Sequence, residues 1–154
     1  SQLITQLYLK TGEPITLIEF NGHSSLGDWK INNNIVYTLK NTVPITIKKY
    51  EPNPIKLLED LASYKAIISM RLHGSILGYL ANTPVLSVNY HSKCKGWCDE
   101  IGLSENYQID LLLANVCKQN VTRFPYEITR LAEDIAGGLM VTMPSQKDFH
   151  AHRE

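Results

Sequence analysis

Short apolar and β-branched runs alternate along this chain with segments in which apolar residues recur at helical spacing. This alternation is typical of parallel strands joined by crossover helices. We expect strands at residues 15–20, 43–50, 66–69 and 85–88, and a weaker one at 107–109. The pattern therefore predicts an α/β fold with a Rossmann-like parallel sheet flanked by helices.

Helices are predicted between these strands from apolar positions three and four residues apart. The first stops at Thr11-Gly12, because glycine commonly ends a helix, and a later one has Pro54 in its first turn, where proline is tolerated. The predicted helices cover residues 1–10, 34–41, 54–64, 72–81, 92–101 and 111–118, and a last one starts at residue 125.

The short strand at 66–69 and the helix after it are expected to form the centre of the fold. The strand is almost wholly apolar, as expected for a central parallel strand covered on both faces. Leu72, Ile76 and Leu80 recur along one face of the helix. Gly74 and Gly78 have almost no side-chain bulk, so the helix is expected to lie close to the sheet.

The length of the chain, 154 residues with 44% hydrophobic residues, favours one domain with one core. We expect that domain to cover residues 1–141 and a polar C-terminal tail to cover 142–154. The sequence begins without Met and in the middle of a predicted helix. These features are typical of a processed, tagged or truncated piece of a longer protein.

Charge and hydropathy limit the class of partner. Fifteen Lys and Arg residues balance fifteen Asp and Glu residues, so the chain has no basic surface typical of nucleic-acid binding. It has no apolar run long enough to span a membrane and no signal-peptide pattern at its start. We therefore expect a cytoplasmic protein without nucleic-acid partners, and we leave a homo-oligomer open.

Three cysteines are too few and too unevenly spaced for a disulfide framework, so free thiols are expected. The alternative is that His91, Cys94 and Cys98 are metal ligands at helical spacing. A structural zinc site needs a fourth ligand, and the chain has no Cys-x-x-Cys pair. We predict no metal and no cofactor.

Candidate chemistry is concentrated where the strand at 66–69 runs into a helix through Arg71-Leu72-His73-Gly74. The first turn of a helix has N–H groups without intrahelical partners and a partial positive charge, which favour an anion. Arg71 adds a planar charged fork, and His73 adds a side chain that titrates near neutral pH. This turn predicts a site for a phosphate or a carboxylate.

Three loops follow predicted strands at their carboxyl ends, where ligands bind in open parallel sheets. They are expected to share one rim; their polar residues are His23, Arg71, His73, Tyr90, His91 and Lys93. The alternatives are a surface ion pair for Arg71, a capping or core role for His73, and solvated loop positions for the others. Glycine-rich nucleotide loops, a Gly-x-Ser-x-Gly elbow and a His-Glu-x-x-His motif are missing from the sequence.

Four segments together resemble the polysaccharide pyruvyl transferases, over about residues 15–103. These segments are Arg71-Leu72-His73, Asn82-Thr83-Pro84-Val85, Tyr90-x-x-Lys93-x-x-Gly96-Trp97 and Ile101-Gly102-Leu103. The resemblance implies the C-terminal, phosphoenolpyruvate-binding domain of a two-domain protein of the glycosyltransferase-B type. Gly74 replaces the alanine usual in the family, and His91 and Ser92 occupy a position where the family often has Asp.

The resemblance also implies a reaction, the transfer of a pyruvyl group from phosphoenolpyruvate to two hydroxyls of a sugar in a surface polysaccharide. Arg71 and His73 are the implied catalytic residues. Arg71, the helix start and Lys93 would hold the phosphate and carboxylate, and His73 would contact the phosphate or move a proton. The implied substrate-binding set is Arg71, Leu72, His73, Gly74, Tyr90, His91 and Lys93, and no metal is required.

Two other functions remain open at the level of sequence. One is the donor-binding half of a nucleotide-sugar glycosyltransferase, which has the same architecture. The other is a non-catalytic binding domain with the same fold. The identity of the bound donor distinguishes a glycosyltransferase from a pyruvyl transferase. The ability to convert a bound substrate into product distinguishes either enzyme from a non-catalytic binding domain.

Overall fold

The computed structural model describes residues 1–111. Contacts between Cα atoms divide the chain into two compact units, one covering Ser1–Leu57 and another beginning at Leu58. Each unit has its own sheet, and every strand pairing within the described residues is parallel. The α/β, Rossmann-like prediction is therefore confirmed. The likeness to half of a glycosyltransferase-B protein stays a prediction.

Helices and strands alternate throughout residues 1–111. In chain order they are α1 (Gln2–Thr11), β1 (Ile15–Ile18), α2 (Trp29–Leu39), β2 (Ile45–Lys48), α3 (Pro54–Ala62), β3 (Ile67–Ser69), α4 (Leu72–Leu80), β4 (Val85–Asn89), α5 (Ser92–Glu100) and β5 (Gln108–Asp110). The three strands β1, β2 and β3 are shorter than predicted, and β4 is one residue longer. The predicted helices at 111–118 and from residue 125, and the tail at 142–154, lie outside the described residues. The single domain over 1–141 stays a prediction.

The first unit contains a two-stranded sheet, in which β1 pairs with β2 from Ile15 opposite Ile45 to Ile18 opposite Lys48. The helix α1 ends as predicted. Gly12 has a φ of 68°, a left-handed conformation, and its N–H donates to the carbonyl of Tyr8 at 2.8 Å. Glycine adopts this conformation without steric cost, which explains why the helix stops there.

The helix α2 starts at Trp29, so the prediction that it begins at residue 34 is wrong by more than a turn. Asp28 precedes the helix, and its Oδ2 accepts bonds of 3.0 Å from the N–H groups of Phe20 and Asn21. The prediction missed the first turn because the helix begins with mostly polar residues. Asn32, one of them, is buried.

The helix α3 begins as predicted, with Pro54 in its first turn. The side-chain oxygen of Asn53 accepts bonds from the N–H groups of Ile55 and Lys56, at 3.0 and 3.3 Å. Asparagine is a favoured residue before a helix because it satisfies these free donors. The predicted position of Pro54 and the capping bonds of Asn53 therefore place the start of α3 at the same point of the chain.

In the second unit, the described residues up to 111 form a three-stranded sheet in the order β3-β4-β5. All five residues of β4 are buried, whereas in β3 Ile67 and Ser69 are buried and Ile68 is 36% exposed. The prediction that residues 66–69 form the central strand, covered on both faces, is therefore wrong, and β4 has that place. An apolar run of three residues does not distinguish a strand covered on both faces from one covered on one.

The helix α4 packs closely on this sheet through its small residues, as predicted. A Cβ on Gly78 would lie 2.6 Å from Val85 Cγ2 and 2.9 Å from Ile67 Cδ1. Of the apolar residues that recur along one face of this helix, Leu72 and Ile76 are half-buried and Leu80 is 50% exposed. The buried face consists of Gly74, Ser75, Gly78 and Tyr79. At Gly78, the short distance to the sheet leaves no room for a larger side chain.

Both α4 and α5 end in the same way. Asn82 and Gly102 have left-handed φ values of 56° and 68°. In each case the residue that follows donates its N–H back into the helix: Thr83 to Gly78 at 3.0 Å and Leu103 to Cys98 at 2.9 Å. This is the Schellman arrangement, and it satisfies the last carbonyls of each helix.

A small apolar cluster joins α4 and α5. The ring of Tyr79 meets that of Trp97 edge to face, with centroids 6.0 Å apart. Cys98, Ile101 and Leu103 are buried beside them. Such aromatic pairs add about 0.5–1.5 kcal/mol to the free energy of burial.

Within residues 1–111, none of the helices is long and apolar enough to cross a membrane.

Candidate functional site

Two equivalent turns lie side by side at one edge of the second unit. The chain passes from β3 to α4 through Met70-Arg71, and from β4 to α5 through Tyr90-His91. Because β3 and β4 are parallel neighbours, both turns follow the carboxyl ends of their strands. This is the edge at which open parallel sheets bind ligands.

Arg71 and His91 occupy the same position in these two turns. Each immediately precedes its helix, and each has an extended backbone, with φ and ψ of −104° and 132° for Arg71 and −139° and 146° for His91. His73 and Lys93 likewise share a position, the second residue of their helices. The structure therefore brings these four predicted residues to one edge of the sheet, as expected.

The electrostatics of this edge favour an anion. Neither helix has Asp or Glu in its first turn. The positive end of a helix dipole disfavours a nearby cation such as Lys93, or a protonated His73, by about 0.3–1 kcal/mol. A bound phosphate or carboxylate reverses that effect, because it interacts favourably with both the side chains and the helix start.

The backbone of Arg71 is fixed by Ser69. The Ser69 hydroxyl donates to the carbonyl of Arg71 at 2.8 Å and accepts from its N–H at 3.2 Å. Ser69 is buried, whereas the side chains of Arg71 and His73 are exposed. The Met70-Arg71 turn is therefore held by a buried hydroxyl, and the side chains of Arg71 and His73 face solvent.

His91 caps α5. Its Nδ1 accepts a hydrogen bond of 3.2 Å from the N–H of Lys93, which requires that Nδ1 carry no proton. Arg71 makes no such side-chain cap on α4. The two helix starts differ in this respect, because α4 presents its first N–H groups without a side-chain cap.

A row of buried polar side chains supports the edge, and the sequence reasoning missed it. The Ser75 hydroxyl donates to Ser87 Oγ at 3.2 Å, and Ser87 donates to Asn89 Oδ1 at 2.8 Å. Asn89 Nδ2 donates to Gln108 Oε1 at 3.1 Å, and Gln108 Nε2 donates to the carbonyl of Leu103 at 2.6 Å. The sequence signal for this row is a polar residue at positions 87 and 89, the first inside the predicted strand at 85–88 and the second directly after it.

The thiol of Cys98 joins this row. Its Sγ donates to Asn89 Oδ1 at 3.6 Å, and burial raises the pKa of the thiol although bonds with Ser87 and Asn89 oppose that shift. Cys94 and Cys98 are free and buried, as expected for structural thiols. Among residues 1–111, no group of three His, Cys, Asp or Glu side chains could hold a metal ion.

The remaining predicted residues have different environments. Leu72 is half-buried, Gly74 is buried, and Tyr90 is 52% exposed, with its ring 6.4 Å from that of His91. His23 lies in the first unit, and its Nδ1 accepts from the N–H groups of Ser25 and Leu26. His23 therefore organises its own loop, and the rim shared by all three loops stays a prediction.

Comparison with known proteins gives a match for the first part of the chain. The model of the polysaccharide pyruvyl transferase family matches residues 1–92, more than half of the chain. This range contains Arg71, His73, Tyr90 and His91, whereas Lys93 and the segment 101–103 lie just beyond it.

A second similarity covers the other end. The C-terminal region of the 4-hydroxyphenylacetate 3-hydroxylase family matches residues 88–154. The chain is also 91% identical, over 44 residues, to 4-hydroxybutyryl-CoA dehydratase/vinylacetyl-CoA-Delta-isomerase from Clostridium aminobutyricum. That stretch is 29% of this chain and 9% of the Clostridium protein. No solved structure matches the chain.

The second match begins within the second unit of the fold. Of the residues that it covers, those at 88–110 include the end of β4, all of α5 and all of β5. β5 belongs to the same sheet as β3 and β4, and α5 and β5 share the row of buried polar side chains with α4. The first match covers β3 and α4. Because the family model matches residues 1–92, the chain belongs to the polysaccharide pyruvyl transferase family.

Proposed function

We propose that this chain binds phosphoenolpyruvate at the edge formed by the Met70-Arg71 and Tyr90-His91 turns. We propose further that it contributes to transfer of the pyruvyl group to a sugar of a surface polysaccharide. The observation that carries the proposal is the repetition of one arrangement in two adjacent turns, each with a basic residue before the helix and another in its first turn. Under this proposal the chain acts in the cytoplasm.

The charge of the ligand matches the side chains at this edge. Phosphoenolpyruvate has a phosphate and a carboxylate on the same carbon, so it offers two anionic groups a short distance apart. Arg71 binds one of them through paired N–H donors, together with the N–H groups at the start of α4. Lys93 provides a point charge for the other.

The reaction breaks four bonds: the bond between C2 and the phosphate oxygen, the π bond between C2 and C3, and two sugar O–H bonds. It forms four: two bonds from the sugar oxygens to C2, one C–H bond that makes C3 a methyl group, and one O–H bond on the released phosphate. One hydroxyl proton thus balances the proton gained at C3, and the other leaves with the phosphate. His73 is the candidate that moves a proton or stabilises the departing phosphate. The reaction calls for no metal and no cofactor.

A nucleotide-sugar donor remains the main alternative ligand, and calorimetric titration distinguishes the two. We expect phosphoenolpyruvate to bind more tightly than uridine diphosphate glucose or guanosine diphosphate mannose. Tighter binding of a nucleotide sugar would favour the glycosyltransferase function instead. The control ligand is lactate, which has a carboxylate but no phosphate.

A non-catalytic role is tested separately, by release of phosphate. If the chain has all the required residues, bound phosphoenolpyruvate should yield inorganic phosphate only when an acceptor glycan is added. Binding without release would favour a binding domain or a chain that needs another part or a second copy of itself. Arg71→Ala is the control, because its phosphate release should match the background rate.

A further inference from the structure

A second candidate site lies in the first unit and consists of residues other than those assigned to phosphoenolpyruvate. An open groove of about 430 Å³ lies between α2 and the carboxyl ends of β1 and β2. It is lined by Glu19, Trp29, Asn33, Ile47 and Lys49. This volume is within the range of small-molecule sites, about 300–1,000 Å³.

The sequence places these side chains together for simple geometric reasons. Glu19 and Lys49 are the next residues after Ile18 and Lys48, which are partners in the parallel sheet. Residues two apart in a strand share a face, so Ile47 and Lys49 point to the same side. Trp29 and Asn33 are four residues apart in α2 and thus share one face of the helix.

The indole ring of Trp29 is held in place although it is 38% exposed. Its Nε1 donates to the carbonyl of Ser24 at 2.8 Å. A Cβ on Gly27 would lie 3.1 Å from Trp29 Cδ1 and only 2.3 Å from the carbonyl oxygen of His23. Only glycine therefore allows this loop to close against the ring. The Lys30 ammonium lies over the ring, 5.4 Å from its centroid, and the part of the fixed ring that stays exposed is a rigid platform for a ligand.

The polar groups of the groove provide both signs of charge and both kinds of hydrogen-bonding group. Glu19 accepts, Lys49 donates, and the Asn33 amide does both. Glu19 opposes the charge of Lys49 in the lining, and its carboxylate repels an anion such as phosphoenolpyruvate. The charged groups equally disfavour a wholly apolar ligand.

We propose that this groove binds one neutral sugar residue. A sugar ring has an apolar C–H face that can stack on Trp29, and hydroxyls that both donate and accept. If the proposed function is correct, on which this role rests, the bound sugar belongs to the acceptor glycan.

The two tryptophans of the chain provide the test, because Trp29 lines the groove and Trp97 lies in the second unit. Methyl β-D-galactopyranoside and methyl β-D-glucopyranoside are titrated into the full chain, and the indole N–H signals are followed by nitrogen-15 NMR. We expect at least one sugar to shift the Trp29 signal to saturation without moving that of Trp97.

Variants then assign the binding to the groove. Asn33→Ala and Glu19→Gln should each weaken binding roughly three- to tenfold through a lost hydrogen bond. The matched controls are Asn34→Ala and Glu59→Gln, which change exposed residues outside the groove. An unmoved Trp97 signal in each variant verifies that the second unit is intact, and unchanged positions of the backbone signals verify the first.

Three results would overturn the proposal. The first is a Trp29 signal unmoved by either glycoside at the highest soluble concentration. The second is equal weakening by Asn33→Ala and Asn34→Ala. The third is saturable movement of the Trp29 signal with inorganic phosphate but not with the sugars.

The outcome for phosphoenolpyruvate is separate from the outcome for the groove. Sugar binding without phosphoenolpyruvate binding would support the sugar site in the groove and contradict the proposed function. Phosphoenolpyruvate binding that depends on Arg71, without sugar binding, would contradict the sugar site and support the proposed function.

Discussion

Asn89 and Gln108 are joined by a hydrogen bond of 3.1 Å across neighbouring strands, and both side chains are buried. Asn89 is the last residue of β4, directly before Tyr90 and His91. This bond ties the carboxyl end of the central strand to β5. It therefore anchors one of the two turns at which we propose that phosphoenolpyruvate binds.

Replacement of Asn89 by leucine should destabilise the chain strongly. The change removes the partner of the Ser87 hydroxyl and that of Gln108 Oε1. Two unsatisfied buried groups at about 1–3 kcal/mol each predict a decrease of roughly 2–6 kcal/mol in the free energy of unfolding. Urea denaturation measures it, with exposed Asn106→Leu as the control. A decrease no larger than that of the control would contradict this role.

Two glycines in adjacent helices should respond in opposite directions to alanine. Gly78→Ala places a methyl group 2.6 Å from Val85 Cγ2, whereas a Cβ on Gly96 meets nothing within 4 Å. Overpacking should make the first variant less stable by about 1–3 kcal/mol. Higher helix propensity should make the second more stable by about 0.5–1 kcal/mol. Thermal denaturation of both checks this, and equal shifts of the two midpoints would refute the close approach of α4 to the sheet.

The capping role of His91 can be separated from a role in binding. His91→Ala removes the acceptor for the Lys93 N–H and should destabilise the chain by about 0.5–2 kcal/mol. His91→Asn should retain the cap and most of the stability. If His91 also contacts the ligand, His91→Asn will weaken phosphoenolpyruvate binding at unchanged stability. Full affinity in His91→Asn would limit this residue to capping.

Cys98 should make stability dependent on pH at the alkaline end. Burial raises the pKa of the folded thiol above its ordinary value of 9.0, so the unfolded chain loses this proton first as pH rises. The contribution is fully present below the unfolded pKa and is lost as pH rises from there through the folded pKa.

The reference for this measurement is Cys98→Ser, which keeps a hydroxyl near Asn89 Oδ1 but does not titrate in this range. From about pH 8 to pH 10, wild type should lose unfolding free energy relative to the variant. Parallel pH profiles of the two proteins would show that burial does not raise the pKa of the Cys98 thiol.

Much of the fold could be predicted from the sequence, because the signals that carry it are local. Gly12 stops α1, Pro54 starts α3, and Gly102 ends α5 as expected. The small residues of α4 indicate its close approach to the sheet, but helical periodicity alone does not show whether they or Leu72, Ile76 and Leu80 are the more buried set. The distance between helix and sheet decides between them, and that distance is a tertiary property.

The candidate site shows the same division. Its position after β3 and β4 follows from strand order, which the sequence indicates. The buried bonds of Asn89 depend on register between β4 and β5, and no short pattern specifies register. The groove beside Trp29 was missed because the start of α2 was placed at residue 34, five residues too late.

The most direct test of the central claim is calorimetric titration of phosphoenolpyruvate into wild type, Arg71→Ala and Arg71→Lys. Lys40→Ala, at an exposed position after α2, is the matched control for loss of a positive charge. Charged hydrogen bonds contribute about 1.5–3 kcal/mol, so Arg71→Ala should bind at least about tenfold more weakly, and Arg71→Lys should fall between it and wild type. Wild-type affinity in Arg71→Ala, or an equal loss in Lys40→Ala, would contradict binding at the Met70-Arg71 turn.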